Sequence, residues 1–190
     1  MKPMTRFTVA VLLVHAFVTG GAAMWESIAQ PKPATFTSVY TDLKTGCRAT
    51  ITLKKGEQVQ GDDIPLKCRG LGGYDIRIDY SAASSSLRLQ RGDDSDGAIS
   101  LGMQPIDYDR KHKIEWRLAN GIPFAVIFRF DKSKSEQPEE MWRPENKSGE
   151  SLLIKGLKGY DQIDFEVDAK TANANVQARE MADAAYAKKN

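Results

Sequence analysis

The segment 74–80 constrains the fold of this chain more than any other part of its sequence. It reads Tyr-Asp-Ile-Arg-Ile-Asp-Tyr, with an apolar or aromatic residue at every even position and a charged residue at every odd position. Side chains alternate between the two faces of a strand, so this pattern predicts an antiparallel strand with one buried face and one solvated face.

Eight shorter runs repeat this pattern, and Gly, Asp, Asn or Ser separates most of them. Many short strands at such spacing predict an antiparallel sheet that curls or folds into two layers. The runs lie at 36–40, 48–53, 87–91, 98–101, 113–118, 124–130, 152–157 and 162–168.

The C-terminal segment changes character, because it is rich in Ala and contains neither Gly nor Pro from about residue 173 to residue 188. Ala174, Ala178, Met181 and Ala185 recur at helical spacing, and this small-residue face predicts a helix packed closely on the sheet. The predicted fold class is therefore α+β, mostly β, with a curled or two-layer antiparallel sheet and one C-terminal helix packed on it.

One hairpin allows a prediction of register around Asn120-Gly121. A two-residue turn would place Arg117 opposite Phe124 and mix charged with apolar side chains on one face. A three-residue loop, 119–121, instead pairs Leu118 with Ile122 and Trp116 with Phe124. The apolar pattern favours the three-residue loop.

The N-terminus has the order of a cleavable signal peptide. Lys2 and Arg6 precede an apolar run, 7–18, which small residues follow as far as Ala23. The run is shorter than the roughly 20 residues of a membrane-spanning helix. We predict cleavage between Ala23 and Met24, no stable membrane insertion afterwards, and a product located in the periplasm or secreted.

The predicted mature chain begins with an extended entry segment, 24–35, and continues as a single β-rich domain, 36–190. That domain contains two cysteines, Cys47 and Cys68. An isolated pair in an oxidising compartment most simply forms one disulfide. A metal or redox pair is the other interpretation, which the spacing of the two residues does not favour.

Charge and composition argue against nucleic acid as a partner. The chain has 27 Lys and Arg against 25 Asp and Glu, and the leader accounts for the small excess of positive charge. A neutral surface lacks the clustered cations that such binding needs. The polar segment 131–150 is predicted to be a loop, and its Met141 and Trp142 either form a binding anchor or fold back onto the domain.

No catalytic, metal or cofactor site is predicted. His112 is the one histidine after the leader, and no nucleophile motif accompanies it. The acidic run 93–97 does not fit the ligand frame of a calcium loop, and Asp96-Gly97 is predicted to be a hairpin turn instead.

Short segments in a defined order carry one resemblance. They are 40–43, Cys47 and Cys68 ahead of glycines, Glu-Trp-Arg at 115–117, the run 121–129, and the segments 167–169, 172–175 and 178–183. The chain thereby resembles an uncharacterised group of small exported, signal-peptide-bearing proteins of gram-negative bacteria. The resemblance implies this compartment and architecture, and it implies no activity. Members of that group commonly carry further cysteines near the last strand and the C-terminus. This chain has none there, so the resemblance implies no second disulfide.

The alternation around Trp116 predicts that this side chain lies in the core. Glu115 and Arg117 then lie on the solvated face, near Arg129, where cross-strand ion pairs can form.

These observations predict an exported non-enzymatic binding module whose partner is a protein or a cell-envelope component. Two alternatives remain: a periplasmic hydrolase that uses His112 or carboxylates, and an inhibitor of an envelope hydrolase.

Overall fold

The computed structural model describes six segments of the chain, and all of them belong to one unit, 33–190. The segments are 33–43, 45–50, 65–81, 84–104, 112–141 and 143–189. The predicted signal peptide, its cleavage site at Ala23 and Met24, and Trp142 lie outside these described residues.

The described segments contain ten strands and two α-helices. The strands are β1 (Phe36–Asp42), β2 (Cys47–Ala49), β3 (Leu66–Arg69), β4 (Tyr74–Ser81), β5 (Ser84–Arg91), β6 (Asp94–Gln104), β7 (Lys113–Ala119), β8 (Ile122–Ser133), β9 (Lys147–Gly156) and β10 (Asp164–Asp168). The helices are α1 (Pro138–Met141) and α2 (Ala174–Lys189), and a 3-10 turn covers Pro144–Asn146.

These strands form two antiparallel sheets of five strands each. Sheet A has the order β1-β7-β8-β9-β10, and sheet B has the order β2-β3-β4-β5-β6. The predicted two-layer antiparallel architecture is confirmed, and so is the C-terminal helix.

The inner faces of the two sheets share one core. Trp116 and Phe128 of sheet A are buried in the same cluster as Ile76 and Leu89 of sheet B. The indole Nε1 of Trp116 donates a hydrogen bond to Oγ1 of Thr41 at 3.0 Å. The prediction that Trp116 is a core residue is therefore correct, and its one polar atom is satisfied as burial requires.

The other face of sheet A is covered by α2. The helix presents a stripe of four buried alanines to the sheet, and these pack with side chains such as Ile127 and Leu152. Because β7 and β8 are covered on both faces, they are buried at nearly every position along their central parts. The alanines are Ala174, Ala178, Ala182 and Ala185.

The β7–β8 hairpin differs from the predicted register. Ala119 pairs with Ile122, so the turn has two residues, and Asn120 and Gly121 both have positive φ, 51° and 82°. This is the geometry of a primed turn, which Asn-Gly favours. The prediction of a three-residue loop is wrong.

A bulge in β8 reconciles this short turn with the apolar pattern. Leu118 pairs with Pro123 and Arg117 with Ala125, so Phe124 is the extra residue. Phe124 thereby turns towards α2, where its ring lies 4.8 Å from the ring of Tyr186. Beyond the bulge, Trp116 pairs with Val126 instead of Phe124.

The predicted polar loop, 131–150, is shorter in the structure. β8 and β9 continue to pair as far as Ser133 and Lys147, and α1 and the 3-10 turn occupy most of the connection between them. Lys147 joins these strand ends through ion pairs with Asp131 (3.0 Å) and Glu150 (3.2 Å). The charged residues that led to the prediction of a loop therefore stabilise the end of the β8–β9 hairpin.

The β5–β6 turn is also displaced from its predicted position. Arg91 pairs with Asp94, so the turn lies at 92–93, and Asp96-Gly97 is part of β6. Gly92 supplies the positive φ of this turn. The amide of Gly97 donates to the carboxylate of Asp94 at 2.9 Å.

Cys47 and Cys68 form the predicted disulfide. They are directly paired residues of β2 and β3, and Cys68 is fully buried in the inter-sheet core. The bridge therefore attaches the three-residue edge strand β2 to the rest of sheet B.

We expect the double variant Cys47→Ala/Cys68→Ala to lose about 3 kcal/mol of unfolding free energy, because the bridge closes a 21-residue loop in the unfolded chain. Urea unfolding followed by circular dichroism measures this difference. Dithiothreitol should destabilise the wild type and have no effect on the double variant. An equal unfolding free energy for both proteins would contradict the prediction.

Candidate functional site

Two ion pairs connect β7 to the C-terminal helix α2. The guanidinium of Arg117 donates two hydrogen bonds to the carboxylate of Asp183, at 3.1 and 2.5 Å. The guanidinium of Arg179 donates two to the carboxylate of Glu115, at 2.6 and 3.1 Å. Such bidentate pairs are the strongest class of hydrogen bond between side chains.

Ser38 of β1 joins the two pairs into one network. Its hydroxyl donates to Glu115 at 2.6 Å and accepts from Arg117 at 2.6 Å. The hydroxyl of Tyr40 accepts from Arg179 at 3.0 Å. We call these six side chains the ion layer; they are Ser38, Tyr40, Glu115, Arg117, Arg179 and Asp183.

The ion layer corrects the prediction that Glu115 and Arg117 lie on a solvated face. Both residues are less than 8% exposed, because α2 covers the face of β7 that the alternation leaves polar. Burial raises the pKa of Glu115, but hydrogen bonds from Arg179 and Ser38 outweigh it and hold that pKa below its ordinary value. The hydrogen bonds from its guanidinium to Glu115 raise the pKa of Arg179.

An open cleft of about 410 Å³ lies on the same face of sheet A, beyond the first turn of α2. The helix begins at Ala174, so it leaves the ends of β7, β8 and β9 uncovered at this point. Charged and polar side chains dominate the lining of the cleft; they include His112, Lys113, Glu115, Arg129, Asp131 and Glu150.

His112 is half-buried in this cleft and immediately precedes β7. Its backbone carbonyl accepts a hydrogen bond from the amide of Leu43 at 3.0 Å, which fixes the chain where it enters the strand. The structure therefore places His112 directly before a strand and at the border of a concave surface.

The acids of the cleft are already paired with cations. Glu150 accepts a hydrogen bond from Arg129 at 3.1 Å and one from Lys147 at 3.2 Å. These two bonds lower the pKa of Glu150. Glu115 and Glu150 therefore both remain ionised at neutral pH. A general acid needs a raised pKa, so this pair does not provide one.

A second concave surface lies on the outer face of sheet B, next to the disulfide. It is an open depression of about 700 Å³, lined by Arg48, Lys67, Arg69 and Arg77, with Asp75 as the one acid of its lining. We call it the basic depression. Arg77 lies between the core residues Ile76 and Ile78, so strand alternation directs it to the outer face.

The register of sheet B aligns like charges across four strands. Arg48 pairs with Lys67, Lys67 with Arg77, and Arg77 with Arg88. Like charges directly opposite each other destabilise a sheet. The arrangement is therefore unfavourable for the stability of the sheet.

Only part of this positive charge is compensated. Lys67 pairs with Asp75 at 2.6 Å, and Arg88 pairs with Asp79 at 3.1 Å. Within the part of the chain that the structure describes, Arg48, Arg69 and Arg77 have no carboxylate at ion-pair distance.

Of the two predicted anchor residues, Met141 lies among the described residues. It is half-buried at the end of α1 and belongs to neither lining set. Among the described residues, no three His, Cys, Asp or Glu side chains are grouped to hold a metal ion. The described helices also include none with the length and apolar character needed to cross a bilayer.

The basic depression was not predicted from the sequence because its residues come from three separate strands. The spacing of Arg48, Lys67, Arg69 and Arg77 in the chain is irregular, and only the strand register brings them together. The one available signal was that basic residues flank both cysteines.

Comparisons of the chain with protein-family models, with curated proteins and with solved structures gave no match. The fold defines its class: a mostly β, two-sheet domain with one disulfide and a helix packed on the outer face of one sheet. The resemblance to exported proteins of gram-negative bacteria stays a prediction.

We expect Glu115→Gln to destabilise the protein at neutral pH by about 2 kcal/mol, because Arg179 loses a charged partner. The pKa of Glu115 is lowered on folding, so its stabilisation is present above the unfolded pKa of about 4.3 and is lost as pH falls through the folded pKa. The variant should therefore lose less stability than the wild type over that acid range.

Urea unfolding at a series of pH values measures both effects. Glu180→Gln is the matched control, because Glu180 is an exposed residue of the same helix. An acid dependence of Glu115→Gln as steep as that of the wild type would show that the ionisation of Glu115 does not contribute to stability in this pH range.

Proposed function

We propose that this protein is an exported, non-enzymatic binding module, and that it contacts its partner through the outer face of sheet B. The partner is a protein or a cell-envelope component. The proposed leader, 1–23, with cleavage between Ala23 and Met24, directs export to the periplasm or beyond. A buried disulfide is consistent with such an oxidising compartment.

The observation that carries the proposal is the contrast between the sheet faces. The inner faces pack against each other, and α2 contacts strands of sheet A. The basic side chains of sheet B retain solvent contact, with 43% of the side-chain surface exposed for both Lys67 and Arg88. A rigid scaffold that presents an accessible, locally charged surface is suited to recognising an oppositely charged partner.

Chemical cross-linking in intact cell envelopes tests this proposal. We expect the tagged mature protein to capture one dominant partner, and we expect the double charge reversal Arg48→Glu/Arg77→Glu to abolish that capture. Arg143→Glu is the matched control, because Arg143 is exposed and lies in the connection between α1 and the 3-10 turn.

Equal capture by the wild type and the double reversal would remove the outer face of sheet B from the proposal. If the captured partner is an envelope hydrolase, its activity with and without the protein distinguishes an inhibitor from a simple binding partner. Circular dichroism of each variant establishes that the fold is retained.

The second candidate function is a periplasmic hydrolase, and one observation favours it. His112 lines the cleft at the start of α2 together with the carboxylates of Glu115 and Glu150. Against this, both of these carboxylates have a lowered pKa and are engaged by arginines. The structure therefore favours the binding module.

We expect no hydrolysis of chromogenic ester or glycoside substrates that depends on His112. Wild type and His112→Ala should give equal background rates, with Lys158→Ala, an exposed residue outside the cleft lining, as the matched control. Turnover that the His112 variant loses and the Lys158 variant keeps would make the hydrolase the better proposal.

A further inference from the structure

We propose that the basic depression is a binding site for a phosphate group carried on a sugar. This inference rests on the proposed function and names the chemistry of the ligand. It depends on three properties of the depression: the number of uncompensated cations, their type, and the size of the space that they enclose.

The first property is an excess of positive charge that the described part of the fold leaves uncompensated. Arg48, Lys67, Arg69 and Arg77 line the depression, and Asp75 neutralises one of them. The whole chain is nearly neutral, with 27 basic and 25 acidic residues, so this excess is local. A bound anion would attract each of these cations and thereby offset their mutual repulsion.

These cations form a continuous row on the outer face of sheet B. Strands in a sheet lie about 4.8 Å apart, so the row Arg48, Lys67, Arg77 and Arg88 extends for roughly 14 Å across four strands. Arg69 follows two residues after Lys67 on β3 and therefore lies on the same face. The three uncompensated arginines thus border one concave space.

The second property is that all three uncompensated cations are arginines. A guanidinium offers paired N–H donors in a planar fork, which matches the oxygens of a phosphate with two parallel hydrogen bonds. The Nε of Arg77 is also shielded from solvent and has no hydrogen-bond partner among the described residues. A buried donor of this kind gains from an acceptor supplied by a ligand.

The third property is size. A space of about 700 Å³ is far larger than one phosphate and lies within the usual range of small-molecule sites. The lining also offers neutral and acidic groups: the hydroxyl of Thr50 and the carboxylate of Asp75. Asp75 accepts hydrogen bonds, which suits the hydroxyl groups of a sugar and would repel a second anionic group. These features favour a sugar phosphate over a polymer with an acid on every unit.

Calorimetric titration of the oxidised protein tests the site with three probes: α-D-glucose 1-phosphate, inorganic phosphate and glucuronic acid. We expect glucose 1-phosphate to bind most tightly and glucuronic acid most weakly. We expect affinity to fall as salt rises, since the contacts are ionic. Arg77→Gln should weaken binding of glucose 1-phosphate by about tenfold or more, while Arg143→Gln should leave it unchanged.

Thermal unfolding provides a second measurement that separates loss of binding from loss of folding. Without ligand, Arg77→Gln should be at least as stable as the wild type, because the substitution removes repulsion from Lys67 and Arg88. Glucose 1-phosphate should raise the melting temperature of the wild type and not that of Arg77→Gln.

A vesicle-binding experiment distinguishes a sugar phosphate that is linked to a lipid from one that is free in solution. Sedimentation with phosphatidylcholine vesicles that contain a phosphorylated glycolipid, compared with vesicles of phosphatidylcholine alone, detects recognition of a lipid-linked headgroup. Binding of free glucose 1-phosphate without vesicle binding supports a soluble sugar phosphate as ligand. Binding in both arms supports the same headgroup on a lipid.

Two results overturn the inference. One is that neither glucose 1-phosphate nor the glycolipid binds, and the other is that Arg77→Gln binds them as the wild type does. If cross-linking nevertheless captures a partner that Arg48→Glu/Arg77→Glu loses, the binding module survives and only the phosphate assignment fails. If the double charge reversal also leaves cross-linking unchanged, the outer face of sheet B is removed from the proposed function as well.

Discussion

The position of α2 depends on the ion layer between this helix and β7. Glu115 and Arg117 are two opposite charges on the face of sheet A that α2 covers, and solvent barely reaches either residue. Without Arg179 and Asp183 these two buried charges would lose their ion-pair partners, which is destabilising. The docked helix supplies Arg179 and Asp183, so the sheet and the helix each satisfy charges that the other buries.

The alanine stripe and the ion layer have different roles in this packing. The buried alanines let α2 approach sheet A closely. Contacts between such small apolar side chains would have a similar energy if the helix shifted or rotated on the sheet. A shift of one residue rotates a helix by about 100° and would remove Arg179 from Glu115 and Asp183 from Arg117. The charged pairs therefore define the register of α2, and the alanines define its distance from the sheet.

This packing determines which surfaces remain for function. Sheet A is covered on both sides along β7 and β8, apart from the cleft beyond the start of α2. In that cleft, Glu115 and Glu150 already form ion pairs with arginines. The basic depression is the opposite case, because its arginines exceed its acids. A set of charges that is already balanced gains little from a ligand, whereas an unbalanced set gains from a counter-ion. This contrast is the physical reason for placing the partner on sheet B.

The sequence was sufficient for nine of the ten described strands, for α2 and for the disulfide, because each of these has a local signal. The strand β3 (Leu66–Arg69) was not predicted. Period-two alternation identifies a strand such as β4, and a Gly-free alanine stripe identifies α2. The burial of the polar face of β7 was missed because it depends on two distant segments. Alternation at 115–117 shows that β7 has a polar face, but it does not show that a helix some sixty residues later covers this face. The predicted register of the β7–β8 hairpin was wrong because a bulge at Phe124 shifts the pairing by one residue. The apolar pattern of the sequence does not show this bulge.

The basic depression could not be predicted from the sequence because the strand register brings its residues together from separate strands. Its position is nevertheless linked to the two cysteines. Cys47 and Cys68 face the core, so their neighbours Arg48, Lys67 and Arg69 face outwards. β2 is a three-residue edge strand whose Arg48 is opposite Lys67, and repulsion between these cations opposes its pairing with β3. The covalent bridge holds the strand in place against that repulsion. It thereby fixes the cations before a ligand arrives, which lowers the ordering cost of binding. On the proposed function, oxidation after export both stabilises the domain and assembles the site.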